Sequence, residues 1–234
     1  MKLTIKKSDG LKEYEVSENL LLLQALYEIK ANQDGSLVFE SGCRSMVCGS
    51  CAVRVNGKEK LACSYRVQDG DIVEPLKYHK VIRDLKVQKD IALSKNKAAN
   101  AYLHSYQEVV LTPEDEKKLA IQSDCILCDS CYSVCPVLAV NDKFLGPFAL
   151  TRALRYAEDK REANKRAIID AIQENGVWDC TLCGECTLVC PKGIDPKGDI
   201  MQLRNISATF GYMDPNFASG GFGGGFGFDP NGGF

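Results

Sequence analysis

The chain of 234 residues contains two cysteine runs with the same spacing, Cys-x2-Cys-x2-Cys-x3-Cys, each followed directly by proline. This duplicated spacing is typical of proteins that bind two cubane iron–sulfur clusters, in which the fourth cysteine of each run binds the cluster of the other run. It therefore predicts one folding unit with two [4Fe–4S] clusters. The predicted ligands are Cys125, Cys128, Cys131 and Cys190 for one cluster, and Cys135, Cys180, Cys183 and Cys186 for the other.

The spacing within each run also predicts the backbone around it. In a regular helix, thiolates at i, i+3 and i+6 would be spread along about 9 Å of axis, so each run is expected to wrap as a loop around a compact cluster. Because the residue before a proline is disfavoured in the α region, Cys135 and Cys190 are expected to turn away from their own loops. Zinc is the alternative, since thiolates also bind it tetrahedrally, but zinc ribbons usually use two separated Cys-x2-Cys pairs.

A third set of cysteines lies nearer the N-terminus and consists of Cys43, Cys48, Cys51 and Cys63. Plant-type ferredoxins bind a [2Fe–2S] cluster with this spacing. Gly42 and Gly49 would let the backbone fold closely around the cluster, where amide groups can approach the sulfurs. All cysteines thus fall into three sets of four, which favours clusters over disulfides or a sheet with unrelated cysteines.

The segments that position this third set have the patterns of a small sheet with one helix. Strands are predicted from alternating polar and apolar residues and from the turn signals Asp9-Gly10 and Asn56-Gly57. They cover residues 2–6, 13–16, 52–55, 60–63 and 72–76. Apolar residues in 19–30 recur with helical spacing, and Ser17 or Asn19 is the expected cap.

These patterns change along the chain and predict an α+β fold. Residues 1–86 are predicted to form a β-grasp [2Fe–2S] ferredoxin domain, and 87–104, rich in Lys and Ala, a connecting helix. An all-α dicluster ferredoxin domain of the bacterial type is predicted over 105–210, with a helix starting at Thr112-Pro113. Neither histidine, His79 nor His104, lies within a cysteine set, so both are predicted to be surface or interface residues.

The last segment, 211–234, is a Gly/Phe-rich tail that cannot form a core of its own. It is predicted to be disordered in the isolated chain, with docking of Phe222, Phe226 and Phe228 on a partner as the alternative. Its glycines do not fit a phosphate-binding G-x-G-x-x-G loop, because no strand precedes them. The sequence also has no flavin or nicotinamide motif, so any such cofactor is expected on another subunit.

Composition excludes several classes of function. The net charge of −2, without a basic block, argues against nucleic acid as a partner. No apolar run approaches the length of a membrane span, and residues 1–10 alternate like a strand, unlike a signal peptide. Contact with a membrane is therefore expected only through another subunit.

The order of these motifs resembles the iron–sulfur subunit of the succinate dehydrogenase and fumarate reductase family. The likeness covers about residues 1–210 and is carried by 41–51 (SGCRSMVCGSC), 143–147 (KFLGP) and 189–196 (VCPKGIDP). It implies an FAD-containing flavoprotein partner on which succinate and fumarate interconvert. The present chain would then relay electrons with no catalytic acid or base of its own, and its [2Fe–2S] domain would face the flavoprotein.

In two respects the chain resembles a particular branch of that family. Common members lack a cysteine at the position of Cys183 and hold a [3Fe–4S] cluster, whereas Cys183 predicts a second [4Fe–4S] cluster; a free Cys183 beside a [3Fe–4S] cluster is the alternative. Common members also line a quinone site with Trp after the first run and His in the second, where this chain has residues 137–140 and Thr181. It resembles the branch in which a cysteine-rich subunit replaces the cytochrome b anchors.

These features predict a subunit that is membrane-associated through its partners, on the cytoplasmic side, with the periplasmic side as the alternative. The predicted acceptor is a (mena)quinone-linked or cysteine-rich iron–sulfur subunit. Two other functions fit the same motifs: the equivalent subunit of a thiol-linked fumarate reductase, and a non-redox protein that uses its clusters as structural staples.

Overall fold

A computed structural model describes residues 1–215; the predicted tail docking residues Phe222, Phe226 and Phe228 lie outside the described residues. Within 1–215, the first part of the chain forms a five-stranded sheet with the order β2-β1-β5-β3-β4. The strands are β1 (Lys2–Lys7), β2 (Gly10–Glu15), β3 (Ala52–Val55), β4 (Lys58–Leu61) and β5 (Asp71–Glu74). Strands β1 and β5 are parallel and the other neighbours antiparallel. This mixed sheet confirms the predicted strands and the β-grasp.

Helix α1 (Leu22–Asn32) shares one hydrophobic core with the sheet, in which Leu22, Leu26 and Ile29 pack with Leu3 and Ile5. Burying each such side chain stabilises the fold by about 1.5–3 kcal/mol. The helix was expected in this place, but its predicted cap is wrong.

Leu21, rather than Ser17 or Asn19, precedes the first turn of α1, and the Gln24 side chain accepts a hydrogen bond from the Leu21 N–H at 2.9 Å. The Ser17 hydroxyl instead donates to Glu28 Oε1 at 3.0 Å. A side chain from within the first turn thus replaces the cap that the sequence pattern favours.

The connection between the domains differs from the helix predicted over 87–104. A short hairpin comes first, formed by β6 (Val81–Arg83) and β7 (Lys86–Val87), and the helix α2 covers only Ile91–Ala98. Asp84 in the hairpin turn is buried and accepts from the N–H groups of Ser8 and Val38 at 3.0 and 2.9 Å. These distant contacts hold the hairpin on the first domain, so the helix begins later than predicted.

The second domain is helical, as predicted. Its elements are α3 (Pro113–Ser123), α4 (Ser130–Ser133), a 3-10 helix (Pro136–Ala139), α5 (Pro147–Ala157), α6 (Lys165–Ala171), α7 (Glu185–Leu188) and α8 (Pro196–Thr209). Thr112 caps α3 as predicted, because its side chain accepts from the Asp115 N–H while Asp115 Oδ2 accepts from the Thr112 N–H. Helix α5 packs on α8 through a core that includes Phe148, Leu150 and Leu203.

Polar side chains join the two domains at a buried junction. The Lys77 N–H donates to Ser133 Oγ, which donates to Glu59 Oε1, both at 2.8 Å. His79 Nε2 lies 3.2 Å from Asp129 Oδ2 in the same junction, which confirms His79 as an interface residue. None of the helices within residues 1–215 has both the length and the apolar composition needed to cross a bilayer.

Candidate iron–sulfur cluster sites

The loop that carries Cys43 and Cys48 directs backbone N–H groups at sulfur atoms. Cys43 Sγ accepts from the N–H groups of Ser45, Val47 and Cys48 at 3.3, 3.3 and 3.2 Å. Cys48 Sγ accepts from the Cys43 N–H at 3.3 Å and lies 3.1 Å from Ser50 Oγ. Such donors stabilise anionic thiolates, which are the form that binds iron.

Unusual backbone conformations produce this loop. Arg44 and Met46 have φ values of 58°, and Gly49 has 69°. Left-handed residues other than glycine cost about 1–2 kcal/mol each, so the loop holds strain while its amides converge on the sulfurs. At Gly42, a Cβ atom would approach Cys48 Sγ to 2.9 Å, so the close approach of that sulfur requires glycine.

The four thiols of this set differ in their surroundings. Cys43 and Cys48 are exposed, whereas Cys51 and Cys63 are buried. Hydrogen bonds from Ser50 and from backbone N–H groups lower the pKa of the Cys48 thiol to about 6, while burial raises the pKa of Cys51 to about 11. The set therefore has one readily ionised thiol at its exposed side and one protonated thiol inside.

Four thiols of the second domain line one apolar cavity, together with Phe148, Thr151 and Ile194. They are Cys125, Cys128, Cys131 and Cys190. Cys190 comes from the second run, and its place beside three cysteines of the first run is the arrangement that cross-ligation requires. Burial raises the pKa of Cys125 to about 11 and that of Cys131 well above the usual range, so binding of iron must displace their protons.

The remaining four cysteines also lie together. Burial, together with the nearby thiols of Cys180, Cys135 and Cys183, raises the pKa of Cys186 to about 12. Burial likewise raises the pKa of Cys135, with Cys180 and Cys183 among its neighbours. Cys135 of the first run is thus placed with three cysteines of the second, as in the other set, and Cys183 is the exposed member.

Both runs have the same backbone around the middle cysteine. Leu127 and Asp129, on either side of Cys128, have φ values of 50° and 66°. Leu182 and Gly184, on either side of Cys183, have φ values of 56° and 85°. The short helices α4 and α7 begin directly after these positions. The two runs therefore wrap in one way, and neither forms the regular helix that would spread the thiols apart.

The first-domain loop touches the first run directly. A Cβ atom on Gly49 would lie 2.8 Å from the Ile126 carbonyl oxygen and 2.9 Å from both Cα and Cβ of Cys128. Lys89 Nζ donates to the carbonyl oxygens of Gly49 and Ser50 at 3.0 and 2.9 Å, which holds this loop against the connection between the domains. The loop that carries the first thiol set therefore contacts the loop that carries the second.

Two of these supporting side chains, Lys89 and Arg204, had no signal in the sequence. Arg204 donates to the carbonyl oxygens of Val177 and Cys180 at 2.8 and 2.7 Å, and its guanidinium lies 5.5 Å from the centre of the Trp178 ring. It thereby holds the start of the second run. An arginine eight residues into α8 shows no local sign of this contact, which only the packing of α8 creates.

The arrangement of the thiols in the cavity of the first run has the shape that a cluster would need. No group of three or more His, Cys, Asp or Glu side chains within residues 1–215 is arranged to hold one metal ion. The cavity of the first run is instead lined by four thiols spread around an apolar space. His104 Nε2 lies 3.2 Å from the Asn100 carbonyl oxygen, and the His104 ring packs on the Tyr102 ring.

Comparisons with known proteins agree with this architecture. Residues 4–94 match the family described as a 2Fe-2S iron–sulfur cluster binding domain, and 121–194 match a 4Fe-4S dicluster domain. A chain of the Mycobacterium smegmatis Sdh1 complex in the apo form has a similar fold, with a TM-score of 0.80 and 24% identity, covering 91% of this chain and 97% of that one.

Sequence relatives extend over most of the chain. The fumarate reductase iron–sulfur subunit of Mycobacterium tuberculosis is 35% identical over 233 residues, covering 93% of this chain and 94% of its own length. An uncharacterized iron–sulfur protein of Methanocaldococcus jannaschii is 40% identical over 92% of this chain, and one subunit of the CoM/CoB fumarate reductase of Methanothermobacter marburgensis is 35% identical over 88%. This chain spans only 45% and 43% of the length of those two relatives. The chain belongs to the family of fumarate reductase and succinate dehydrogenase iron–sulfur subunits.

Proposed function

We propose that the chain is the electron-transfer subunit of a succinate dehydrogenase or fumarate reductase complex. It connects an FAD-containing flavoprotein subunit, on which succinate and fumarate interconvert, with a quinone-linked acceptor. Iron–sulfur clusters supply one-electron carriers, and this chain's own part is to hold them close together.

The observation that carries the proposal is the contact at Gly49. Its backbone lies against Cys128, so the [2Fe–2S] loop and the first cubane loop meet without an intervening side chain. Cys186 of the second set is in turn among the thiols that act on Cys131 of the first. Three neighbouring sets of ligands would give electrons a path through the chain, which structural staples would not require.

The ligand assignments are part of this proposal. We assign the [2Fe–2S] cluster to Cys43, Cys48, Cys51 and Cys63, and the two [4Fe–4S] clusters to the crossed sets described above. The exposed loop side chains Met46 and Val47, with 37% and 63% of their surface accessible, support the flavoprotein as the partner of the first domain. Exposed apolar groups beside a cofactor loop favour a protein interface.

For the other end, we propose a cysteine-rich iron–sulfur subunit, membrane-associated on the cytoplasmic side. Cys183 is exposed, and it supplies the fourth thiol that a second [4Fe–4S] cluster needs. In the second domain, Leu188 and Val140 are also exposed, at 80% and 88%. An exposed cysteine ligand, in a domain that also exposes apolar side chains, suits docking of another electron carrier.

The test is anaerobic purification of the chain with its flavoprotein from the source cells, followed by iron analysis and EPR. Three clusters require about ten iron atoms per chain, and succinate or dithionite should reduce them reversibly. Cys48→Ser should remove or shift the [2Fe–2S] signal and slow electron flow to an artificial acceptor. Clusters that do not reduce reversibly would instead indicate structural staples.

A second candidate is the equivalent subunit of a thiol-linked fumarate reductase, favoured by the likeness to the CoM/CoB enzyme. The purified complex distinguishes the two. Fumarate reduction driven by thiols that become a disulfide would support the thiol-linked enzyme, whereas reduction driven by a quinol would support the first proposal.

A further inference from the structure

Asp199 is a buried carboxyl group that has no part in the electron transfer proposed above. It lies in the first turn of α8 and is only 5% exposed. Its Oδ1 accepts from Gln122 Nε2 at 2.9 Å and its Oδ2 from the Thr151 hydroxyl at 2.7 Å. Because Gln122 belongs to α3 and Thr151 to α5, three helices meet at this carboxyl group.

Thr151 connects Asp199 with the first cubane site. The Thr151 side chain contributes to the wall of the cavity that Cys125, Cys128, Cys131 and Cys190 line. Asp199 therefore lies one hydrogen bond behind that wall, close enough for its charge to act on whatever the cavity holds. In a buried region such an interaction is weakly screened.

The negative charge of Asp199 has little compensation. Both of its donors are neutral, and the charge of Asp195 adds repulsion. Burial, together with that repulsion, raises the pKa of Asp199. On the neighbouring helix α5, Arg152 acts on Cys125 instead, and Arg155 is paired with Asp159.

The surroundings also suit the protonated form. Gln122 Oε1 is buried and has no hydrogen-bond partner among residues 1–215. If the Gln122 amide turns over, this oxygen can accept a hydrogen bond from a protonated Asp199, while Thr151 continues to donate to the other carboxyl oxygen. Both protonation states are therefore satisfied without movement of a helix.

We infer that Asp199 is a redox-linked proton site, which takes up one proton from solvent when one electron enters the cluster of the neighbouring cavity. A one-electron reductant supplies the electron, the proton converts the Asp199 carboxylate to the neutral acid, and both leave on reoxidation. The reason is electrostatic, since an added negative charge near a poorly solvated carboxylate favours its neutral form. The inference rests on the proposed cluster at this site.

The pH dependence of the reduction potential tests this assignment. EPR-monitored titrations of the purified complex with dithionite should show the potential of this cluster falling as pH rises across the neutral range. Full coupling gives about 59 mV per pH unit, the one-electron equivalent of a tenfold change in proton concentration. Asp199→Asn should make the potential independent of pH, because its amide oxygen can accept from Thr151 and its NH2 group can donate to Gln122 Oε1, but it cannot take up the proton.

A matched control is Asp195→Asn. The Thr187 hydroxyl donates to Asp195 and lowers the pKa of that exposed carboxyl, so it stays ionised across the neutral range. Removing its charge should raise the potential and, because Asp195 repels Asp199, move the pH range of the coupling, while the slope within that range stays intact. An unchanged slope in Asp199→Asn would overturn the assignment.

A second measurement uses the unmodified protein and does not depend on a variant that folds. Redox-difference infrared spectra should gain the C=O band of a protonated carboxyl on reduction, and the band should move in heavy water. A pH-independent potential in a protein that contains the cluster overturns the role of Asp199 alone. Absence of the cluster by iron analysis would instead contradict the proposed function.

Discussion

The two cysteine runs of the second domain have the same backbone but different surroundings. The left-handed residues beside Cys128 and Cys183 correspond one to one, and each run continues into a short helix. Cys128, however, is 8% exposed and covered by Gly49 of the first domain, whereas Cys183 is exposed. The same backbone conformation thus places one run inside the molecule and the other at its surface.

The two runs are therefore suited to different tasks, although their cysteines have the same spacing. A covered run can exchange electrons only with its neighbours in the same chain, while an open run can reach another protein. Solvent exposure also changes cluster potentials, because water stabilises the more highly charged reduced state. The open site is therefore expected to be the easier of the two [4Fe–4S] sites to reduce.

The largest effect is expected for Gly49→Ala, which disturbs the contact that covers Cys128. The new methyl group would collide with backbone atoms of Ile126 and Cys128, and a φ of 69° strains any residue but glycine. Left-handed strain of about 1–2 kcal/mol and overpacking of about 1–3 kcal/mol together lower the free energy of unfolding by about 2–5 kcal/mol. Anaerobic denaturant unfolding of the purified chain measures this loss.

Gly70→Ala is the control for that variant. Gly70 has a φ of 79°, but nothing lies within 4 Å of its added Cβ atom. It should therefore lose only the strain of about 1–2 kcal/mol and keep electron transfer between the domains. Equal losses in the two variants would mean that the contact of Gly49 with the first run contributes nothing.

Cys183→Val tests the role of the exposed cysteine in the second run. A cubane iron without a thiolate is easily lost, so the variant should hold a [3Fe–4S] cluster, with one iron fewer per chain and an oxidised-state EPR signal. The exposed position predicts little effect on folding. Cys128→Val, at the equivalent covered position, should also disturb the contact with Gly49. A full [3Fe–4S] signal in the unmodified, strictly anaerobic protein would contradict Cys183 as a ligand.

Much of this organisation could be predicted because it is local in sequence. Turn signals such as Asn56-Gly57 predicted hairpins, and Thr112 was correctly identified as a cap, while cysteine spacing predicted the division of the thiols into three sets. Each of these features depends on residues only a few positions apart. The family resemblance added the expected partners, which spacing alone cannot supply.

What could not be predicted depends on contacts between distant residues. The hairpin at Asp84 is held by Ser8 and Val38, which no pattern within 81–87 reveals. Gly49 was expected to approach its own cluster, yet its tightest contacts are with Ile126 and Cys128 of the other domain. A loop glycine fits both roles equally well, and only the packing of the domains decides between them.

The smallest predicted effect concerns the exposed thiol at the start of the path. Ser50 Oγ lies 3.1 Å from Cys48 Sγ, and a hydrogen bond to a cluster sulfur stabilises the reduced state. If Ser50→Ala removes a bond of about 0.5–1.5 kcal/mol, the [2Fe–2S] potential should fall by about 20–60 mV, measured by EPR-monitored titration.

Ser45→Ala is the matched control, because the Ser45 hydroxyl donates to the Cys43 carbonyl oxygen at 3.1 Å and not to a sulfur. Its potential should stay close to that of the unmodified protein, since the Ser45 N–H still donates to Cys43 Sγ. Neither change reaches Cys128 or Cys183, so both [4Fe–4S] potentials should remain constant. Equal shifts in the two serine variants would show that loop polarity in general, rather than the bond from Ser50 to Cys48, sets the potential.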